Sequence, residues 1–252
     1  MTLEGEQGGN LVMRSVIALI CVAGLLLLCA SAWAGMSGPL TVRAVSGGKI
    51  ATWTYNWGTD VSSYQLVAPV ELKASDGTKL ATLAGLNCAM DMDPFLTLNF
   101  AVQAIGDTNF TFDTGFLVFP AIDPAMGFAT AATTLTADGD GATFTGNFAG
   151  GKAYEATYNA GTMFANLDSS FISPANTSTV QDERQPAVGF APIVGPVSSM
   201  RAQWDFTLSG GDGASGTSRY EIQPVPDANT LALAFAGAAP LLGCAIRRRR
   251  RA

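Results

Sequence analysis

The sequence predicts an all-β protein, an antiparallel β-sandwich of jelly-roll or immunoglobulin-like type. Three observations predict it: short segments that alternate apolar and polar residues, abundant Thr, Val and aromatic residues, and glycine-containing turns at regular intervals. β-branched and aromatic side chains fit the half-buried surface of a sheet, and a period of two places them on one face. A signal helix and a transmembrane helix are expected to flank this body at its N- and C-terminal sides.

Ten segments show the alternation. They are LTVRAV (40–45), ATWTYNW (51–57), YQLVAPVELKA (64–74), FLTLNFAVQAI (95–105), NFTFDT (109–114), FLVFPAI (116–122), ATFTGNF (142–148), AYEATY (153–158), MRAQWDFTL (200–208) and SRYEI (218–222). In the fourth segment, the even-numbered apolar residues from Leu96 to Val102 are expected to face the core. Two stretches lack this pattern: residues 124–135 could form a short helix, and residues 173–196, with four prolines, are expected to form one long loop.

Residues 1–34 are predicted to be a secretory signal peptide. A single arginine precedes an apolar run of about fifteen residues, and small residues follow at the spacing that signal peptidase accepts. Met13 gives a better-formed signal than Met1 as the true start. An N-terminal anchor that is never removed is the alternative. Cleavage is directed by Ala32, Ala34 and Gly35.

The predicted body, residues 35–223, is acidic. It contains 8 Lys and Arg residues against 17 Asp and Glu residues, a net charge of −9. Such a surface repels phosphates, so nucleic acid is excluded as a partner. It also disfavours adhesion to anionic lipid. The charge is typical of a protein that stays soluble outside the cell.

The composition excludes several kinds of catalysis. There is no histidine, so Ser-His-Asp and Cys-His sites and His-ligated zinc are excluded. Cys88 is the one cysteine within 35–223, and we expect it to be a small buried residue rather than a reactive thiol. We therefore predict no catalytic residue and a protein that is not an enzyme. A glycoside hydrolase that uses two carboxylates is a less favoured alternative.

Two aspartate pairs are candidate ligands for Ca²⁺, which prefers carboxylate oxygens. Asp91 and Asp93 precede a proline, and Asp138 and Asp140 occupy the first and third positions of a calcium-loop pattern. That pattern fails at its fifth and twelfth positions, which are alanines. The favoured interpretation of both pairs is a solvated turn. No other cofactor is predicted.

Three aromatic residues are candidates for contact with a sugar. Trp53, Tyr55 and Trp57 alternate along one segment and so share a face. An exposed aromatic strip can stack on sugar rings, whereas a buried strip is part of the core. The core interpretation is favoured, and carbohydrate binding stays as the alternative function.

The C-terminal residues have the features of a stop-transfer segment. Residues 230–246 contain no charge, and as a helix they would span about 25 Å. This is slightly less than the ~30 Å of a bilayer's hydrocarbon core. Clustered arginines hold the end of such a helix on the cytoplasmic side. They are Arg247, Arg248, Arg249, Arg250 and Arg251.

Residues 224–252 resemble the PEP-CTERM sorting signal of Gram-negative exported proteins. That signal has a Val-Pro-Glu-Pro-Ser-Thr-like motif, a short apolar helix and a terminal arginine cluster, and the segment 219–223 resembles the strand that leads into it. The matching positions are Val225, Pro226 and Thr230, with Asp227, Ala228 and Asn229 as replacements. The resemblance implies cleavage by an exosortase and transfer to the cell surface or an exopolysaccharide matrix. Left uncut, the segment would tether the body to the inner membrane.

Overall fold

The structure is a computed structural model that describes residues 35–58, 62–91 and 93–225. Every regular element in these ranges is a β-strand, and all the strand pairings are antiparallel. The all-β prediction is therefore confirmed. The described ranges contain no helix, and so none that is long and apolar enough to cross a membrane. The two predicted terminal helices, Ala32, Ala34, the motif from Pro226 onward and the arginine cluster lie outside the described residues.

The first sheet has ten strands, and its central strand, β17 (Val197–Leu208), pairs with four of the others. The order is β1-β9-β17-β8-β2-β3, with β11 and β12 also paired to β17, β13 to β12 and β14 to β11. The strands are β1 (Gly35–Ser37), β2 (Leu40–Ser46), β3 (Lys49–Tyr55), β8 (Thr108–Asp113), β9 (Phe116–Ile122), β11 (Ala142–Gly146), β12 (Lys152–Tyr158), β13 (Thr162–Ser169), β14 (Phe171–Ser173) and β17 (Val197–Leu208).

The second sheet has eight strands, and its longest ladder joins β10 and β18 over twelve residue pairs. The order is β15-β10-β18-β7-β6-β4, with β16 also paired to β10 and β5 to β6. The strands are β4 (Ser63–Gln65), β5 (Val70–Lys73), β6 (Lys79–Asp91), β7 (Phe95–Ala104), β10 (Ala125–Thr136), β15 (Ser178–Gln185), β16 (Ala191–Ile193) and β18 (Gly213–Pro224).

The two sheets pack face to face in a sandwich-like arrangement. Along β7, the four even-numbered residues from Leu96 to Val102 are buried and the odd-numbered residues between them are partly exposed, as predicted. Phe100 of the second sheet stacks on Phe112 of the first at 4.3 Å between ring centroids and meets Trp204 edge-on at 5.2 Å. The core therefore lies between the sheets, and aromatic rings join its two halves.

Several sequence predictions about individual segments were wrong. The stretch 124–135 is strand β10, not a helix, because β18 and β15 pair with it on both sides. The expected loop 173–196 contains β15 and β16, and 64–74 is two short strands rather than one. β15 is an edge strand with no buried residue, so no apolar alternation reveals it. β6 and β13 were also not predicted.

Candidate functional site

The three aromatic residues singled out in the sequence form a cluster with a fourth. We define the aromatic cluster as Trp53, Tyr55, Trp57 and Tyr64. The Tyr64 ring lies 5.3 Å from the Trp53 ring and 4.3 Å from the Tyr55 ring, and Tyr55 meets Trp57 edge-on at 5.3 Å. All four side chains are half-buried and pack against the core. Burial raises the pKa of the Tyr64 hydroxyl, and the neighbouring Tyr55 raises it further.

Strand topology explains where this cluster lies. Trp53 and Tyr55 belong to β3, the edge of the first sheet, and Tyr64 belongs to β4, at an edge of the second. The rings therefore fill the gap between two neighbouring sheet edges, which agrees with the favoured core interpretation. Each ring still keeps part of its surface in solvent. Tyr64 was not predicted as a member because edge pairing cannot be derived from one sequence.

The two aspartate pairs lie at opposite ends of the second sheet. Asp91 ends β6 and Asp93 follows in the turn to β7, whereas Asp138 and Asp140 follow the far end of β10. Twelve residues of β10 separate the two ends, about 40 Å of extended strand. The structure therefore does not bring the pairs together. Within the described ranges, no group of three or more His, Cys, Asp or Glu residues is placed to hold a metal ion.

The pair Asp138 and Asp140 shapes a turn. The Asp140 amide donates to Asp138 Oδ1 at 3.2 Å, and the Asp138 amide donates to Oδ1 of buried Asp212 at 3.0 Å. A hydrogen bond and charge repulsion from Asp138 raise the pKa of Asp140. One carboxylate oxygen of the pair, Asp138 Oδ1, thus accepts a bond from an amide of the turn itself. This geometry fits the solvated-turn interpretation, and calcium binding stays a prediction.

One buried carboxyl was not identified from the sequence. Asp168, on β13, is 0% exposed and has a left-handed φ of 66°. The Thr133 hydroxyl of β10 donates to Asp168 Oδ2, which joins the two sheets, and Oδ1 has no partner among the described residues. Burial raises the pKa of Asp168 from its ordinary 3.8 to about 7. The spacing of acidic residues cannot reveal such a site, because β13 itself was not predicted.

Cys88 is a buried free thiol on β6, as expected. Burial raises its pKa to about 12, so the thiolate that attacks electrophiles or binds metals is disfavoured. The structure thus gives Cys88 the packing role that its isolation in the sequence predicted.

The last described strand reaches the start of the predicted sorting motif. β18 lies in the centre of the second sheet, between β10 and β7, and continues to Pro224. The Val225 amide then donates to the Pro124 carbonyl at 3.0 Å. The segment 219–223 is therefore part of a strand, as predicted. We call this end of the second sheet the exit end. At the N-terminal side of the described residues, Gly35 is the first residue of β1.

Comparisons with known proteins give no family for this chain. No family model and no curated protein matches it. Among solved structures, it is similar to an arabinose-bound α-L-arabinofuranosidase at 14% identity and a TM-score of 0.26, over 65% of this chain and 23% of that one. It is also similar to infectious bursal disease virus of the Gx strain at 10% identity and a TM-score of 0.25, over 79% of this chain and 58% of that one. The chain thus spans less than two thirds of either protein, and likenesses this weak carry no functional argument.

Proposed function

We propose that this chain is an exported β-sandwich protein of jelly-roll or immunoglobulin-like type, with a structural or adhesive role. It acts at the cell surface or in an exopolysaccharide matrix and is not an enzyme. Signal peptidase and an exosortase-type protease are its processing partners. The PEP-CTERM-like tail inserts into the inner membrane before it is cut.

The observation that supports this proposal best is the position at which the last described strand ends. β18 is a central strand, and its last paired residue, Pro224, immediately precedes the motif that begins at Val225. A cut after Val225 would therefore remove no residue of the described strands. The acidic, histidine-free composition of the body agrees with a soluble exported role rather than a catalytic one.

Localisation tests the proposal. In a Gram-negative host with an exosortase, we expect the full chain in the envelope or on the cell surface, accessible to added protease. A matched chain that ends at Val225 should be exported but not membrane-bound, because it lacks the uncharged stretch and the arginines. Retention of both chains in the cytoplasm would refute export.

A carbohydrate-binding module is the second candidate, favoured by the partial exposure of the aromatic cluster. If the cluster stacks on sugar rings, Trp53→Ala and Trp57→Ala should each reduce binding on a polysaccharide array. The matched control is Phe128→Ala, because Phe128 is a half-buried aromatic residue outside the cluster, on β10 of the second sheet. Binding that persists in both tryptophan variants would remove this site from consideration.

A further inference from the structure

An exposed apolar segment lies beside β10. Residues 186–196, PAVGFAPIVGP, contain no charged or polar side chain, and we call them the apolar segment. Val188 is 87% exposed and Val194 is 88% exposed. Only Val67, at 99%, is more exposed among the large apolar residues that the structure describes. Single exposed apolar residues are common, but two in one uncharged segment indicate a contact surface.

The register places this segment at the exit end. Ile193 and Pro224 are both paired with Ala125, one on each side of β10. Their backbones are therefore two strand spacings apart, about 10 Å. Both strands run in the same direction there, so Val194 and Val225 leave the sheet at the same end.

The outer face of the second sheet changes character along its length. At the exit end, the half-buried residues of β7 and β10 on this face include Phe95, Met126 and Phe128, with Glu221 and Gln223 of β18 between the two strands. Further along β10 the half-buried residues are Thr130, Ala132 and Thr134. The two aromatic side chains that β7 and β10 present on this face, Phe95 and Phe128, are thus both at the exit end. Phe190 of the apolar segment extends this surface, with its ring 5.6 Å from that of Phe128.

Two arginines cover the rings at this end. The Arg184 guanidinium lies 4.4 Å from the Phe128 ring centroid, and Arg219 lies 5.1 Å from that of Phe95. The Arg219 guanidinium is also paired with the Glu221 carboxylate at 2.7 Å, so Arg184 is the better placed of the two to meet a lipid phosphate. Apolar side chains beside such a guanidinium group suit the interfacial layer of a bilayer, where carbon groups enter the lipid and cations meet phosphates. Exposed carboxyls of Asp93 and Asp123 at the same end disfavour anionic lipid. The chemistry therefore fits a zwitterionic surface.

We propose that the apolar segment rests in the interfacial layer of the bilayer while the body is tethered by its tail. The inference depends on the proposed function, because the tether brings this end to the membrane. The uncharged stretch 230–246 begins only five residues after Val225, and five residues of extended chain reach at most about 18 Å. A tether this short holds the exit end next to the lipid and orients the sandwich on it.

Site-specific labelling of the tail-bearing chain that begins at Gly35 tests this contact, because residues 1–34 could otherwise hold the protein on a vesicle themselves. Val188→Cys, Val194→Cys and Ile105→Cys would each carry an environment-sensitive dye, with Cys244 replaced by serine and buried Cys88 kept. Ile105 is the matched control, since it is 57% exposed and lies past the far end of β7, about 30 Å from the exit end. Each protein is reconstituted into phosphatidylcholine vesicles containing nitroxide-labelled phosphatidylcholine.

We expect blue-shifted emission and nitroxide quenching at positions 188 and 194, and neither at position 105. Proteins that float with the vesicles but show no quenching at 188 and 194 would overturn the contact and leave the tether intact. Equal quenching at all three positions would also overturn it, because the body would then have no preferred orientation. Failure to float would refute the tether, and the contact with it.

Discussion

Phe100→Ala is expected to lower the free energy of unfolding by about 3–5 kcal/mol, the range found when a buried phenylalanine is truncated. Phe100 is 4% exposed and contacts rings from two strands of the opposite sheet. Its loss leaves a cavity between the sheets and removes the stacking that joins them. A domain of ordinary stability, about 5–15 kcal/mol, would lose a large part of it.

Urea unfolding followed by tryptophan fluorescence measures this loss. The matched control is Phe95→Ala, which makes the same change on the same strand but on the outer face, where Phe95 is half-buried. The control should cost clearly less. Equal costs for the two variants would contradict the account of Phe100 as the residue that joins the two halves of the core.

Asp168→Asn is expected to stabilise the protein at pH 8 and to flatten its stability profile between pH 4 and 8. The folded-state pKa, about 7, lies above the ordinary 3.8, so between these values the folded protein retains a proton that the unfolded chain has lost. Raising the pH through this window therefore destabilises the parent protein. The difference between the two pKa values corresponds to about 4 kcal/mol at pH 8.

Asparagine suits the position on two further grounds. It tolerates the left-handed φ of 66°, and its side-chain oxygen can still accept the bond from the Thr133 hydroxyl. Lys152 and Glu183, which lie nearby, are unchanged in the variant, so the difference between the two profiles isolates Asp168. Asp182→Asn removes the same charge from an exposed position and is the control. Parallel profiles for the parent and the Asp168 variant would show that the carboxyl is ionised without penalty.

The sequence predicted the class of fold because alternation and turn residues are local signals. It identified β7 and its buried face correctly, since Leu96 to Val102 alternate without interruption. β10 was missed because its core-facing residues are mostly Ala and Gly, whose apolar contrast is small. β15 was missed because it is polar on both faces. Which strands pair is a long-range property, and a single sequence does not reveal it.

Two contacts inside the protein, one at Gly216 and one at Asp168, also depend on how the strands are arranged. A Cβ at Gly216 would lie 2.4 Å from the Phe100 ring, so that glycine makes room for the residue paired with it on β7. The sequence showed a glycine between polar residues but not its partner. In the same way, Asp168 meets Thr133 only because β13 and β10 face each other across the core. The candidate residues of the targeting signals stay predictions, which were made from linear patterns in the sequence and do not depend on strand pairing.

The intact mass of the mature protein, purified from the envelope and from the extracellular matrix, tests the central claim most directly. We predict a species in the matrix or at the surface that begins at Gly35 and ends within residues 225–230, so that it lacks Arg247 to Arg251. An envelope intermediate that begins at Gly35 and still carries the tail should precede it. A single species that retains both residues 1–34 and the five arginines in every fraction would contradict export and sorting together.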